Sequence, residues 1–187
     1  MNNLHCYLDL PFEIKKPDIC NTIPKGLYHQ DFFRREYEDL NVKALLNSVG
    51  LDVRHLEVFY TAPNTRIPIH TDTPVYNNRT KLNVTWGPEE GVIQWWKAKE
   101  AKVKYERPGA SPLRTHKNIR ADLEDCELII ERNTNKPSLV NVGQLHGTYN
   151  PNPTEGRWTL CFIICVPGQP FCEWDYVYER MEPWIVK

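Results

Sequence analysis

From about residue 50 onward the apolar positions fall into short runs of strand-like, two-residue alternation, each closed by Pro, Gly or Asn. The runs are residues 55–61, 67–72, 81–86, 92–97, 127–131, 138–142, 146–150 and 157–166. No helical pattern separates them, which excludes the crossovers of a parallel sheet. Eight short strands divided by turn signals predict a mainly β fold of sandwich or barrel type, and the jelly roll is the eight-stranded member of that set. Residues 87–91 and 150–156 have the composition of a hairpin loop and a longer turn, and Glu89 and Glu90 read as its charged tip.

Upstream, Phe32, Phe33, Tyr37, Leu40, Val42, Leu45 and Leu46 approximate a helical stripe over residues 31–48, interrupted near Asn41 and stopped at Gly50. One or two helices packed outside the sheet are expected there. Residues 1–30 are rich in turn formers and aromatics and read as a wrap, with a strand around residues 6–10. The aromatic tail, with Phe171, Trp174, Tyr176, Tyr178 and Trp184, is expected to pack back on the domain.

Length and composition leave this picture intact. With 187 residues, 41% of them hydrophobic, the chain suits one domain over 1–187. Its parts are a core of about 54–166, a wrap with helices over 1–50, a basic insertion over about 99–120 and a tail over 167–187. A net charge of -1 argues against a nucleic-acid or anionic-membrane binder. The first ten residues lack the features of a signal peptide, and no run is long enough to span a bilayer. The six cysteines contain no C-x-x-C pair, and free thiols in a reducing cytoplasm are the expectation. Any basic surface is local: Lys97, Lys99, Lys102, Lys104, Arg107, Arg114, Lys117 and Arg120 face only Glu100 and Glu106 in that stretch. It reads either as a solvated mobile loop or as a lid at the pocket mouth that favours an acidic substrate.

Candidate chemistry centres on His70 and Asp72, two residues apart in a β-branched run, where side chains share a face. His146 is the best third partner. Two imidazoles and one carboxylate form the facial triad of non-haem Fe(II) sites, with the opposite positions open. An H-x-D pair alone carries little information in a chain with six histidines. Arg157 and Thr159 supply the specificity, because they share a strand face eleven and thirteen residues beyond His146, while Trp158, Leu160 and Phe162 take the other. A buried guanidinium needs an anion, and its planar fork suits a carboxylate. Tyr60, Lys81 and Asn83 are expected to line the same pocket. His5, His29, His55 and His116 read as structural, and Trp86, Trp95 and Trp96 as core.

His70-x-Asp72, the distal His146 and Arg157-x-Thr159 together resemble the signature of the 2-oxoglutarate and Fe(II)-dependent dioxygenases. The resemblance covers about residues 54–166. It implies a cupin-like jelly roll, or double-stranded β-helix, with the H-x-D on the second strand, the distal histidine on the seventh and the R-x-T on the eighth. It further implies Fe(II) held by His70, Asp72 and His146, and 2-oxoglutarate as co-substrate with its far carboxylate on Arg157 and Thr159. A C–H bond of a small-molecule, amino-acid or peptide substrate would be hydroxylated, with release of succinate and carbon dioxide. Arg79, nine residues after His70, is similar in place to a co-substrate arginine of the aspartyl/asparaginyl β-hydroxylase group, whose best-known members lack a carboxylate at the position of Asp72. Two other readings stand beside this one. They are a cupin-type metal enzyme that uses no oxoacid, with Arg157 on the substrate itself, and a non-catalytic jelly-roll binding module.

Overall fold

The alternation of side chains builds two antiparallel sheets. The computed structural model describes residues 3–24, 28–32, 37–99, 102–106 and 118–187. In chain order the strands are β1 (His5–Tyr7), β2 (Tyr28–Phe32), β3 (Asp52–Thr61), β4 (Thr65–Arg66), β5 (Thr80–Trp86) and β6 (Val92–Ala98). They continue with β7 (Lys104–Glu106), β8 (Asn118–Arg120), β9 (Cys126–Arg132), β10 (Ser138–Asn141), β11 (His146–Asn150) and β12 (Arg157–Cys165). The helices are α1 (Leu40–Ser48) and α2 (Trp174–Met181).

The larger sheet has the order β1-β10-β5-β12-β3-β2, the smaller β4-β11-β6-β9, and β7 pairs with β8. Counting β3, β4, β5, β6, β9, β10, β11 and β12 as the eight strands of the core, the first, third, sixth and eighth lie in one sheet. The second, fourth, fifth and seventh lie in the other. That interleaving is the double-stranded β-helix, so the fold is the mainly β jelly roll that the pattern predicts.

What positions the site is the polarity of the larger sheet. Its even-numbered residues Leu56, Val58, Tyr60, Leu82, Val84, Trp158, Leu160 and Phe162 are buried in one cluster with Val42 and Leu46 of α1 and Trp174, Val177 and Met181 of α2. The larger hydrophobic cluster therefore lies outside the barrel, between sheet and helices, and a smaller one of Ile93, Trp95, Val140 and Val142 lies between the two sheets. The odd-numbered residues Glu57, Thr61, Lys81, Asn83, Thr85, Arg157 and Thr159 occupy the opposite face, buried as well. So many buried polar groups on one face must bond one another or a ligand.

Three elements differ from the sequence reading. The stripe expected over residues 31–48 is helical only from Leu40, where the Asp39 carboxylate accepts from the backbone N–H groups of Asn41 and Val42 at 3.1 and 3.0 Å. Tyr28–Phe32 instead pairs with β3 and covers that edge, because a sheet edge needs backbone partners more than Phe32 needs a helix. Gly50 ends the helical region at φ 76, as expected of a glycine stop. The tail forms α2, whose Trp174, Val177 and Met181 recur at helical spacing. Tyr60 packs on the outer core against Trp158, ring centroids 5.0 Å apart, and does not line the pocket. None of the six cysteines, all of them among the described residues, is in a disulfide. Among the described residues no helix is long and apolar enough to cross a membrane.

His5 gives a test of the frame. It is 7% exposed, its ring edge-on to Tyr7 at 4.5 Å, and its Nε2 has no partner. Burial, aided by the Arg132 charge, lowers its pKa from 6.5 to about 4. The unfolded chain therefore takes up this proton below pH 6.5 while the folded protein refuses it until about pH 4. The stability is present above 6.5 and lost as pH falls. Between pH 7.5 and 5 the loss from this group is about 2 kcal/mol, and His5→Phe is expected to flatten that part of a urea-midpoint profile.

Candidate metal centre

Residues 67–72, expected as a strand, are regular only at Thr65–Arg66, just before them. Pro68 has no N–H to give a ladder. The segment is instead clamped between two neighbours. The N–H of Ile67 donates to Thr148 O at 2.8 Å, and His70 and His146 exchange both backbone hydrogen bonds at 2.8 Å. On its other side Thr71 N–H donates to Ile119 O at 2.9 Å and Ala121 N–H to Ile69 O at 3.3 Å. Gly147 permits this closeness, since a Cβ there would meet Ile67 O at 2.8 Å. The pairing of residues 70 and 146 puts both imidazoles on one face, with ring centroids 4.7 Å apart.

The ligating atoms of His70, Asp72 and His146 all lie within 4.8 Å of one another. Asp72 Oδ1 stands 3.3 Å from His70 Nε2 and 3.9 Å from His146 Nε2. Ligands at right angles on a first-row ion, with bonds near 2.1 Å, are about 3 Å apart, so the triad needs only a small contraction to hold one. The tautomers also fit. His70 Nδ1 donates to Pro68 O at 2.8 Å and His146 Nδ1 to Gln144 O at 3.0 Å, and because a carbonyl only accepts, each neutral ring turns a bare Nε2 to the centre. Burial, with the neighbouring His70, lowers the His146 pKa to about 4, so that ring is neutral at physiological pH. Burial opposes ionisation of Asp72, but the Lys81 charge beside it outweighs that and holds the carboxyl well below its ordinary value.

Lys81 is on β5 and 3% exposed. Its Nζ contacts Asp72 Oδ2 and lies 2.6 Å from Glu57 Oε2. Its pocket side was legible from strand phase, but its grip on Asp72 crosses from one sheet to the loop of the other and has no sequence signal. Asn83 faces inward too, its Oδ1 buried without a partner. Asn118, wholly buried at the start of β8 with neither amide atom partnered, is an inward polar residue that the sequence reading missed.

Arg157 opens β12, at the far end of the barrel from His146. Four residue steps along β11 lead from His146 to Asn150, ~13 Å of strand. The guanidinium is 1% exposed, and among the described residues no carboxylate pairs with it. Its NH2 group donates to Thr134 Oγ1 at 3.0 Å, its Nε has no partner, and burial lowers its pKa to about 10. Thr134 Oγ1 lies 2.7 Å from Thr85 Oγ1, which is 3.3 Å from Thr159 Oγ1. The guanidinium and three hydroxyls thus form one buried polar pocket floor. Arg79 is elsewhere. It precedes β5 at the metal end, with its guanidinium 5.4 Å from the Phe171 ring and its Nε buried without a partner.

The basic insertion is rooted at the triad. β8 bridges His70 through Arg120, and Ile119 and Ala121 pack with Ile69 and Leu145 behind the histidines. Its stem is therefore ordered β structure beside the site. The remainder of the expected loop, including Arg107, Arg114 and Lys117, lies outside the described residues.

No family model and no curated protein matches the chain. Among solved structures it is similar to an oxalate oxidase in complex with the substrate analogue glycolate, at 13% identity over 87% of this chain and 77% of that one, TM-score 0.38. It is similar to an oxidoreductase of the 2OG-Fe(II) oxygenase family from Burkholderia pseudomallei, at 10% identity over 66% of this chain and 47% of that one, TM-score 0.36. A third likeness, to EvdO2 from Micromonospora carbonacea var. aurantiaca, has 12% identity over 72% of this chain and 60% of that one, TM-score 0.40. Likenesses this distant say nothing about chemistry, which rests on the residues themselves.

Proposed function

We propose that this protein is an Fe(II)- and 2-oxoglutarate-dependent dioxygenase that hydroxylates a C–H bond of a small-molecule, amino-acid or peptide substrate. The observation that carries the reading is the buried, carboxylate-free guanidinium of Arg157 at the floor of the same barrel that brings His70, Asp72 and His146 together. A cation buried without an anion is costly and points to a missing anionic ligand. A five-carbon diacid chelating a metal at one end and meeting an arginine at the other suits the depth of the barrel.

Bound Fe(II) with 2-oxoglutarate and dioxygen supplies the oxidising chemistry, one oxygen atom going to succinate and the other to the substrate. The residues of this chain bind, orient and exclude water. Carbonyl contacts fix both imidazoles, and Arg157, with Thr159 among the hydroxyls beside it, holds the far carboxylate. Arg79, at the metal end, suits the near end of the co-substrate or the substrate. Within the stem of the insertion Lys102 stands 3.6 Å from Asp125 and Lys104 contacts Asp122, so the preference for an acidic substrate, with affinity falling as salt rises, rests on the charge pattern of the insertion as a whole and not on these two lysines. On the cupin reading the metal ligands are the same and Arg157 grips the substrate's own carboxylate.

Calorimetric titration with 2-oxoglutarate separates these. The Mn(II)-loaded protein is expected to bind it and the metal-free protein to bind it far more weakly. Equal, negligible heat in both contradicts the proposal. Gly91→Ala gives a second reading, because a Cβ at Gly91 would stand 2.5 Å from Arg157 Cδ and 2.7 Å from its Nε. Displacing the guanidinium without removing it is expected to weaken 2-oxoglutarate roughly tenfold to a hundredfold, with Mn(II) affinity unchanged.

A further inference from the structure

The triad offers one carboxylate to a metal, yet a second carboxylate is buried beside it. Glu57 is 6% exposed and shares a single ammonium, Lys81 Nζ, with Asp72. Two carboxylates on one ammonium have oxygens no more than about 5–6 Å apart, twice an ammonium–carboxylate hydrogen bond. Glu57 Oε1 lies 3.6 Å from His55 Nε2 on the other side. Left to electrostatics alone, a divalent ion at the triad would attract Glu57 as a fourth ligand or take both oxygens of Asp72, and either would close a position that the chemistry needs open.

We propose that Lys81 is the positioning residue that limits this chain to three metal ligands, by tying up Asp72 Oδ2 and Glu57 Oε2 together so that only Asp72 Oδ1 faces the two imidazoles. The geometry assigns the two oxygens of Asp72 different work. Oδ2 is against Lys81, whereas Oδ1 is the atom 3.3 and 3.9 Å from the histidine nitrogens. The inference rests on the metal-site part of the proposed function and not on 2-oxoglutarate.

The test counts inner-sphere water on Mn(II) by water-proton relaxation, without substrate or turnover. A six-coordinate ion with three protein ligands keeps three waters. Lys81→Met is expected to lose at least one of them, about a third of the inner-sphere relaxivity, as Glu57 or Asp72 Oδ2 joins the metal. Glu57→Gln is expected to keep the wild-type value, since Lys81 still holds Asp72. Lys81→Met leaves two buried carboxylates facing each other and threatens folding. The double variant Lys81→Met with Glu57→Gln removes one of those charges and is expected to lose one water through Asp72 Oδ2 alone. A wild-type water count in both variants that lack Lys81 would overturn the inference. If the wild-type protein binds no Mn(II), the metal-centre reading falls first and takes the inference with it, a result recognisably different from unchanged hydration.

Discussion

Replacing Arg157 by Ala is expected to leave metal affinity intact and to weaken 2-oxoglutarate binding by roughly 2 to 5 kcal/mol, the cost of removing one partner of a buried charged pair. The metal ligands lie on other segments, and the nearest groups to the guanidinium are the hydroxyls of Thr134, Thr85 and Thr159. Arg157→Lys should recover only part of the loss, because an ammonium keeps the charge without the bidentate fork. Thr159→Ala should cost about 0.5 to 1.5 kcal/mol, one hydrogen bond. The free protein should respond in the opposite direction. Its guanidinium is buried with no carboxylate partner among the described residues, so Arg157→Met is expected to hold or raise the urea midpoint while abolishing tight co-substrate binding. If Arg157→Ala left 2-oxoglutarate affinity and succinate production unchanged while abolishing turnover of another acid, the cupin reading would replace this one.

Asp72→Ala is the second large effect. It removes the only carboxylate of the triad and one of the two anions on Lys81. Divalent-metal binding is expected to vanish from calorimetry, and the folded state to lose stability. Breaking a buried pair costs about 3–5 kcal/mol when the remaining charge is stranded, and the loss here should fall below that range because Glu57 still holds Lys81. His146→Ala should equally end metal binding while leaving the Asp72–Lys81–Glu57 chain in place, so its stability loss should be smaller. Metal binding retained in both variants would place the centre elsewhere.

The strands were legible because alternation is a local property. His146–Asn150 matches its expected bounds, and β12 ends one residue short of the expected run. The triad was legible as residue types and spacing. Its geometry was not, because residues 67–72 reach their place through backbone bonds to Thr148, His146 and Ile119, far along the chain, and not as a regular strand. Tyr60 was misplaced although it is in phase with Val58, which faces the outer core. Carrying the alternation through β3 would have put it there. The Lys81 bridge had no local signature at all, since Glu57, Lys81 and Asp72 come from three segments that meet only when the barrel closes.

On the proposed function, a metal held by His70, Asp72 and His146 shares 2-oxoglutarate with Arg157. Anaerobic titration of the Fe(II)-loaded protein with 2-oxoglutarate tests it most directly. A visible metal-to-ligand charge-transfer band should grow to saturation, require far more 2-oxoglutarate in Arg157→Ala, and be absent in Asp72→Ala. A protein that binds Fe(II) yet shows no band and no heat at any 2-oxoglutarate concentration would contradict the account.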